Sequence, residues 1–489
     1  MEFNMQDDIV IGLEIHVQLS TKTKIFCNCS TDYIDQEPNT NTCPVCLGLP
    51  GGLPVLNKKA VELAIRTAIA LNCRINSTSI FHRKNYFYPD LPKAFQISQY
   101  DLPLAEEGFM ELIVGKSKKN SKIRITRAHM EEDAGKLVHT EEKGQIVDSL
   151  VDYNRSCVPL LEIVTEPDIR SSEEAIVFLQ NLRSIVQYLG VCDGNLERGS
   201  MRCDANISIR DSESHQLGTK TEVKNMNSFR AIKRALDYEI CRQRKLIEDG
   251  EKVSQETRRW DEANNQTVTM RSKEEAHDYR YFPEPDLLPL KIKDSWVNEI
   301  KDSLPELPVD RKERFTRDFG LSDYDASRLV EIKSLGDYFE EAARDYKDYK
   351  KLTNWILSEL LRYLGEEGTE ISSSPISAES LAELLHLIDR KVISGKIAKT
   401  IFEKMFKTGQ NATDLVQKSG LTQISDKEEI DIIIEKVIED NIQSVQDYRS
   451  GKEKAVNFLV GQVMRHTKGR AQPDLVLHLL KEKMNKLQN

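Results

Sequence analysis

Between residues 9 and 19 the chain alternates apolar and polar positions almost without error: Ile9, Ile11, Leu13, Ile15, Val17 and Leu19 interleave with Val10, Gly12, Glu14, His16 and Gln18. A period of two predicts a β-strand whose aliphatic face meets a core. Glu14 and His16 then project from the other face roughly 6.6 Å apart, close enough to share one metal ion or one substrate. The alternative is the ordinary polar outer face of an edge strand. Shorter alternating runs over 122–126, 160–165, 205–210 and 219–224 predict further strands, while 172–189 and 228–249 carry helical spacing. Together these predict an α+β domain. The run Phe282-Pro283-Glu284-Pro285-Asp286 cannot sustain a helix or a central strand and marks a boundary.

Beyond Pro305 and Pro308 nearly every segment up to 407 reads as helix, for example 352–364 and 378–388. A small helical unit follows. In it Ile430, Ile433, Ile434, Val437 and Ile438 form one stripe, and Val456, Leu459, Val460, Val463 and Met464 another, both core faces by their spacing. At 489 residues the chain is too long for one core. The expected organisation is a mixed domain over 1–294, a helical domain over 295–407 and a helical tail domain over 408–489.

Apolar residues make up 39% and charged residues 30% of the chain, and the mean hydropathy is −0.49, values that fit a soluble globular protein. No stretch approaches the ~20 apolar residues of a membrane span, and the opening MEFNMQDDIV resembles neither a signal peptide nor a presequence. A cytoplasmic protein is expected. The net charge of −10 argues against a generally sticky nucleic-acid binder. Residues 449–489 nevertheless hold nine Lys or Arg against three Asp or Glu, a surplus that fits either a docked polyanion or a solvated helix face.

Cys27-x-Cys29 is followed, after thirteen residues, by Cys43-Pro-Val-Cys46. Two such pairs can wrap four thiolates around Zn²⁺ in a closed site, which has no open position for chemistry and is therefore structural. His129-Met-Glu-Glu-Asp-Ala-Gly-Lys136 puts three acids in a row, a pattern usual in solvated loops. Glu162 is different, because it sits inside the aliphatic strand Leu160-Leu-Glu-Ile-Val164 and needs a cation there. Glu14, His16, Glu132 and Glu162 together would make a hard-cation site of the kind that holds Mg²⁺ beside phosphates, with His16 acting through water or the site taking Mn²⁺. Familiar nucleotide signatures are missing. Gly115-Lys116-Ser117 has the tail of a P-loop, but Met110 stands where its first Gly belongs. Arg83-Lys-Asn-Tyr-Phe-Tyr-Pro-Asp90 and Arg202-Cys-Asp-Ala-Asn206 could stack on a base or grip a phosphate, and serve equally well as packing.

Long motifs carry a resemblance. Ile11-Gly-Leu-Glu-Ile-His16, Arg83 to Asp90, His129 to Lys136, Leu161-Glu-Ile-Val-Thr-Glu-Pro-Asp-Ile-Arg170, Arg202-Cys-Asp-Ala-Asn-Ile-Ser208, Lys224-Asn-Met-Asn-Ser-Phe229 and Asp278-Tyr-Arg-Tyr-Phe-Pro-Glu-Pro-Asp286 resemble, in this order, the GatB/GatE family, the B subunits of bacterial tRNA-dependent amidotransferases. Ile442-Gln-Ser-Val-Gln-Asp-Tyr448 and Phe458-Leu-Val-Gly-Gln-Val-Met464 are similar to the tail that the family shares with the small YqeY proteins. The resemblance implies a cradle-like catalytic domain, ATP as co-substrate, and a glutaminase subunit, GatA, with a small subunit, GatC, as partners. It implies phosphorylation of the side-chain carboxylate of misacylated Glu-tRNA(Gln) or Asp-tRNA(Asn), followed by amidation with ammonia from the glutaminase. It places Mg²⁺ on Glu14, His16, Glu132 and Glu162, zinc on Cys27, Cys29, Cys43 and Cys46, and the tRNA elbow on the helical and tail domains.

Overall fold

A strand that is apolar at every second position hides one face and leaves the other for chemistry, and the first half of the chain is organised around this asymmetry. The computed structural model describes residues 8–114, 119–142, 145–210, 216–272, 279–419, 427–450, 452, 454–467 and 471–486. Gly115-Lys116-Ser117, Asp278, Lys468 and Arg470 lie outside these residues. The chain divides into two compact units, Met1–Pro308 and Val309–Asn489.

The strands of the first unit are β1 (Ile9–Gln18), β2 (Arg74–Ile75), β3 (Thr78–Ser79), β4 (Phe81–Asn85), β5 (Phe95–Gln99), β6 (Ala105–Val114), β7 (Lys119–Glu132), β8 (Lys136–Glu142), β9 (Gln145–Asp152), β10 (Pro159–Thr165), β11 (Met201–Ile209), β12 (Thr221–Lys224), β13 (Glu256–Asp261), β14 (Gln266–Ser272), β15 (Phe282–Pro283) and β16 (Leu290–Lys291). Nine of them form one sheet in the order β14-β13-β12-β11-β1-β10-β7-β6-β2. Within it β12 and β13 run parallel and the other described neighbours antiparallel. β1 therefore lies inside the sheet, between β10 and β11, and is not an edge strand. A second sheet, β15-β4-β5, uses the Pro-rich run: Phe282 and Pro283 pair with Arg83 and His82. Pro is admissible there because an edge position needs no ladder donor from it.

Helices α1 (Lys58–Ala70), α2 (Ser172–Tyr188) and α3 (Phe229–Glu248) cover the apolar face: α1 packs on β6 and β7, α2 on β6, and α3 on β11 and β14. Each starts at a side-chain cap. Asn57 accepts from the Lys59 and Ala60 N–H groups, Ser171 from Glu174 and Ser228 from Ala231, each cap stabilising its helix by about 1 kcal/mol. Ile11, Leu13, Ile15 and Val17 of β1 are buried in the resulting core, which extends to Ile300 of a fourth helix, α4 (Asp294–Asp302), packed against α1.

β7 changes phase halfway along. Its register with β10 runs from Pro159 opposite Glu132 to Val164 opposite Arg127, then passes over Thr126 to Thr165 opposite Ile125. Before this bulge Ile123 and Ile125 are buried in the core; after it Ala128 and Met130 are. Arg127, His129 and Glu131 consequently project from the polar face. The acidic run is thus not a loop: Glu131 and Glu132 are strand residues, each 2% exposed, and alternation sends their charges to opposite faces.

The second unit is helical throughout its described residues, with one core from Phe315 to Val416 and another from Ile430 to Met484. The segment expected as a helix over 352–364 contains a π-helical turn, Trp355–Leu360. Ala412–Ser419 packs on Ala378–Asp389 and Gly395–Thr408 through Leu415 and Val416. Of the two tail stripes, Ile430, Ile434, Val437, Val456, Leu459 and Val463 are buried in the second core, and Ile433, Ile438, Val460 and Met464 flank it.

Candidate active site

Sheet register sets a row of polar side chains across three adjacent strands. His16 on β1 stands opposite Glu162 on β10, which stands opposite His129 on β7. His16 Nε2 lies 3.3 Å from Glu131 Oε1 and 3.4 Å from Glu162 Oε2, while His129 Nε2 lies 3.3 Å from the same Glu162 oxygen. Two carboxylates this close repel one another unless a cation lies between them. Burial opposes a charge on His16, but hydrogen bonds to Glu131 and Glu162 override it and push the imidazole up to about 10. Burial likewise works against the Glu162 carboxylate, and His129 and His16 nevertheless hold it well below the usual range. One nitrogen and two carboxylate oxygens, all within 4.8 Å of one another, form a donor set suited to a small divalent cation.

Of the four expected ligands, the structure gathers His16 and Glu162 and adds Glu131. Glu14 shares their face but is not part of this group; it accepts a hydrogen bond of 2.9 Å from Asn206 Nδ2 and stands opposite Asp204. Glu132 points the other way. Its carboxylate accepts from the Ile97 N–H at 2.7 Å, from Cys157 Sγ at 2.8 Å and from the Lys93 ammonium, tying β5 and the Cys157 loop to β7. The bulge at Thr126 thus makes Glu131, not the expected Glu132, the acid that faces His16.

Cys27, Cys29, Cys43 and Cys46 converge, with Sγ atoms all within 4.8 Å. A tetrahedron with zinc–sulfur bonds of ~2.3 Å has edges of about 3.8 Å, and Cys43 Sγ and Cys46 Sγ are 3.8 Å apart. Cys46 also accepts from the Cys43 N–H at 3.0 Å, and Lys24 Nζ lies 3.8 Å away. The hydrogen bond from Cys27 favours the Cys46 thiolate and correspondingly disfavours ionisation of Cys27. These residues fit a closed four-thiolate metal. All nine cysteines are free thiols.

A cleft of about 1220 Å³ borders the polar face, lined among others by Tyr86, Tyr88, Lys224, Thr257, Tyr279 and Phe282. The polar stretch 83–90 lines it through Asn85 to Tyr88 and Asp90, whereas among the described residues 202–206 contributes no lining residue and connects to it only through Lys224. Lys224 bonds Asp204 at 2.6 Å, and Arg202 pairs at 3.0 Å with Asp133, whose carboxylate also accepts from Gln18 at 2.9 Å. Arg83, in contrast, turns away to a bidentate pair with buried Glu284 at 2.7 and 2.9 Å. Sequence reasoning missed Glu131 as a partner of His16 and His129 as a partner of Glu162. The available signal was alternation within the acidic run, which allows only one of two adjacent acids on a given face.

The GatB/GatE catalytic domain matches residues 9–298 and the GatB domain residues 337–484. The chain is 55% identical to the B subunit of an aspartyl/glutamyl-tRNA(Asn/Gln) amidotransferase from Carboxydothermus hydrogenoformans, over 98% of this chain and 99% of the relative. It is 54% identical to proteins of the same description from Thermodesulfovibrio yellowstonii, over 97% and 99%, and from Thermoanaerobacter pseudethanolicus, over 99% and 100%.

Proposed function

The chain belongs to the GatB/GatE family of amidotransferase subunits, and on that premise we propose that it phosphorylates the side-chain carboxylate of a misacylated tRNA, Glu-tRNA(Gln) or Asp-tRNA(Asn), with ATP and converts the acyl phosphate to the amide. The observation that carries this reading is identity above one half, over nearly the full length, to B subunits of that enzyme. The site chemistry supports it. A carboxylate is a poor acyl donor, and its activation needs held phosphates and positioned carboxylates more than covalent help from the protein. His16, Glu131 and Glu162 would hold Mg²⁺ or Mn²⁺, with Glu14 beside them; the ion would neutralise phosphate oxygens and align them for in-line displacement. Glu132 fixes the strand that presents Glu131.

The proposed partners are a glutaminase subunit, GatA, which supplies ammonia, and a small subunit, GatC, in a heterotrimer. Zinc on the four cysteines is proposed as a structural ion. The helical second unit is proposed to hold tRNA, and the proposed setting is the cytoplasm; among the described residues no helix is long and apolar enough to cross a membrane.

The reconstituted complex, given γ-³²P-ATP and misacylated tRNA without an ammonia source, is expected to accumulate a labelled acyl phosphate, and Glu131→Gln and Glu162→Gln are expected to abolish it. Wild-type yield from both variants would sink the assignment.

A further inference from the structure

Four of the cations on the polar face and the cleft rim fall into two groups. Lys224 and Arg202 are each neutralised by a carboxylate: Asp204 at 2.6 Å for Lys224 and Asp133 at 3.0 Å for Arg202. Lys84 and Arg127 are not. Among the described residues neither has a carboxylate within ion-pair distance, and the Arg127 Nε is buried without a hydrogen-bond partner.

Both belong to the walls of the site. Lys84 lies on β4, two residues from Tyr86, and its Nζ sits 5.0 Å above the Tyr279 ring and 5.7 Å above the Tyr86 ring, two rings that line the cleft. Arg127 follows the bulge on β7 and shares the face of His129 and Glu131; across the sheet it stands opposite Val164, which in turn stands opposite Glu14. Tyr281 lies within electrostatic reach of both cations. Its ring stacks on Tyr100 at 4.2 Å and 7°. Glu131, Glu162, Lys84 and Arg127 all act electrostatically on its hydroxyl. Glu131 and Glu162 also favour the charged form of Lys84 against the cost of burial. The site thus sets against its carboxylates two cations that no carboxylate bonds among the described residues, an arrangement able to receive an anion.

We propose that Lys84 and Arg127 form an anion clamp that grips the phosphoryl group while it passes from ATP to the substrate carboxylate. This rests on the phosphoryl-transfer reading above and adds two catalytic residues to it. In the step, the bond from the γ-phosphorus to the β,γ-bridging oxygen breaks and its electron pair leaves on ADP. A carboxylate oxygen of the aminoacyl group forms the new P–O bond, and no proton is transferred. Charge spreads over the equatorial oxygens of the phosphoryl group, where an ammonium from one wall and a guanidinium from the other can meet it. Their unpaired state matters. A cation already bonded to a protein carboxylate would have to give up that bond first.

The test is single-turnover acyl phosphate formation by the reconstituted complex, with Lys84→Met, which keeps the stem that packs on the tyrosines, and Arg127→Gln. Lys84→Gln replaces the first variant if it fails to fold. With ATP and tRNA saturating, each is expected to slow the step about 10²- to 10³-fold, the usual effect of losing one preorganised charge donor. Melting temperature should stay close to the wild-type value and Mn²⁺ affinity should not fall, since losing a cation near Glu131 and Glu162 strengthens their hold on an ion; Lys84→Arg and Arg127→Lys should each regain at least a tenth of the rate. Rates within about threefold of wild type in the neutral variants overturn the clamp. So does a raised KM for tRNA at an unchanged rate, which would assign these cations to the tRNA backbone. If the wild-type complex itself forms no acyl phosphate, the phosphoryl-transfer reading falls first and the clamp with it.

Discussion

Exchanging Glu132 for Gln removes one negative charge from a buried pair and leaves the outline of the side chain unchanged. Lys93 and Glu132 are 8% and 2% exposed at their side chains, so the ammonium left behind has little water to turn to. The amide oxygen can still accept from the Ile97 N–H, so the loss is confined to the side that meets Lys93 and the Cys157 thiol. Breaking a buried pair from one side costs about 3–5 kcal/mol. At about 2 °C per kcal/mol for a unit of this size, the first unit should melt roughly 6–10 °C lower. Tryptophan fluorescence follows this transition, since Trp260 is buried in that core. Lys93→Met with Glu132→Leu removes both charges and should return most of the loss, because apolar replacement of a whole buried pair is close to neutral. Glu131→Gln is the companion. It gives up a 3.4 Å bond from Ser98 and its contact with His16, relieves repulsion with Glu162, and should shift melting by less than half as much. It should weaken Mn²⁺ binding at least about tenfold. If Glu132→Gln melts within about 1 °C of wild type, or Glu131→Gln binds Mn²⁺ normally, the assignment of the two acids to opposite faces is refuted.

Asp168 accepts two bonds from the Arg124 guanidinium, at 2.7 and 2.8 Å, and one from its backbone N–H at 3.0 Å; these outweigh burial and hold the carboxyl below its usual value. Its stabilising contribution is complete above the unfolded value of about 3.9 and is lost as pH falls through the folded value. Melting temperature between pH 6 and 3 should therefore fall less steeply in Asp168→Asn, and parallel curves would contradict the linkage. Elemental analysis should find about one zinc per chain, absent in Cys43→Ser, with melting lowered before activity is affected; lost activity in a fully folded variant would refute a structural role. Deleting residues 427–489, a cut that removes the second helical core whole, should raise KM for tRNA about tenfold or more while ammonia-dependent kcat changes less than about threefold; an unchanged KM would exclude this region from tRNA binding.

The sequence made the inner strands readable because their two faces differ so sharply. β1 alternates with Val10 as its one apolar residue out of place, and Glu162 stands out as an acid flanked by Leu161 and Ile163. The cysteine cluster was equally visible, since four thiols at those spacings have few other uses. What stayed hidden depends on partners distant in sequence. Carrying the phase of residues 122–126 forward puts Glu132 on the polar face; one extra residue, Thr126, reverses this, and only the pairing with β10 reveals it. The strand formed by Phe282 and Pro283 was hidden because two residues have no period, and its pairing with Arg83 and His82 spans some two hundred residues. Arg127 escaped for a related reason, and nothing set Lys84 apart from Arg83 within the stretch 83–90. A cation is notable only when no carboxylate comes near it, and composition records acids without recording where they point.

The interior position of β1 also bears on which ions the site would accept. Ligands borrowed from loops can drift apart around a large cation, whereas His16, Glu162 and Glu131 hang from three neighbouring strands with hydrogen bonds on both sides of β1. The separation of their backbones is the sheet's own repeat, about 4.8 Å per strand, and it cannot widen without breaking ladder bonds. Such a frame acts as a caliper. It favours an ion near the size of Mg²⁺ or Mn²⁺ and penalises Ca²⁺, which wants longer bonds and more oxygens. Ion choice would then be a property of sheet geometry as much as of the three side chains.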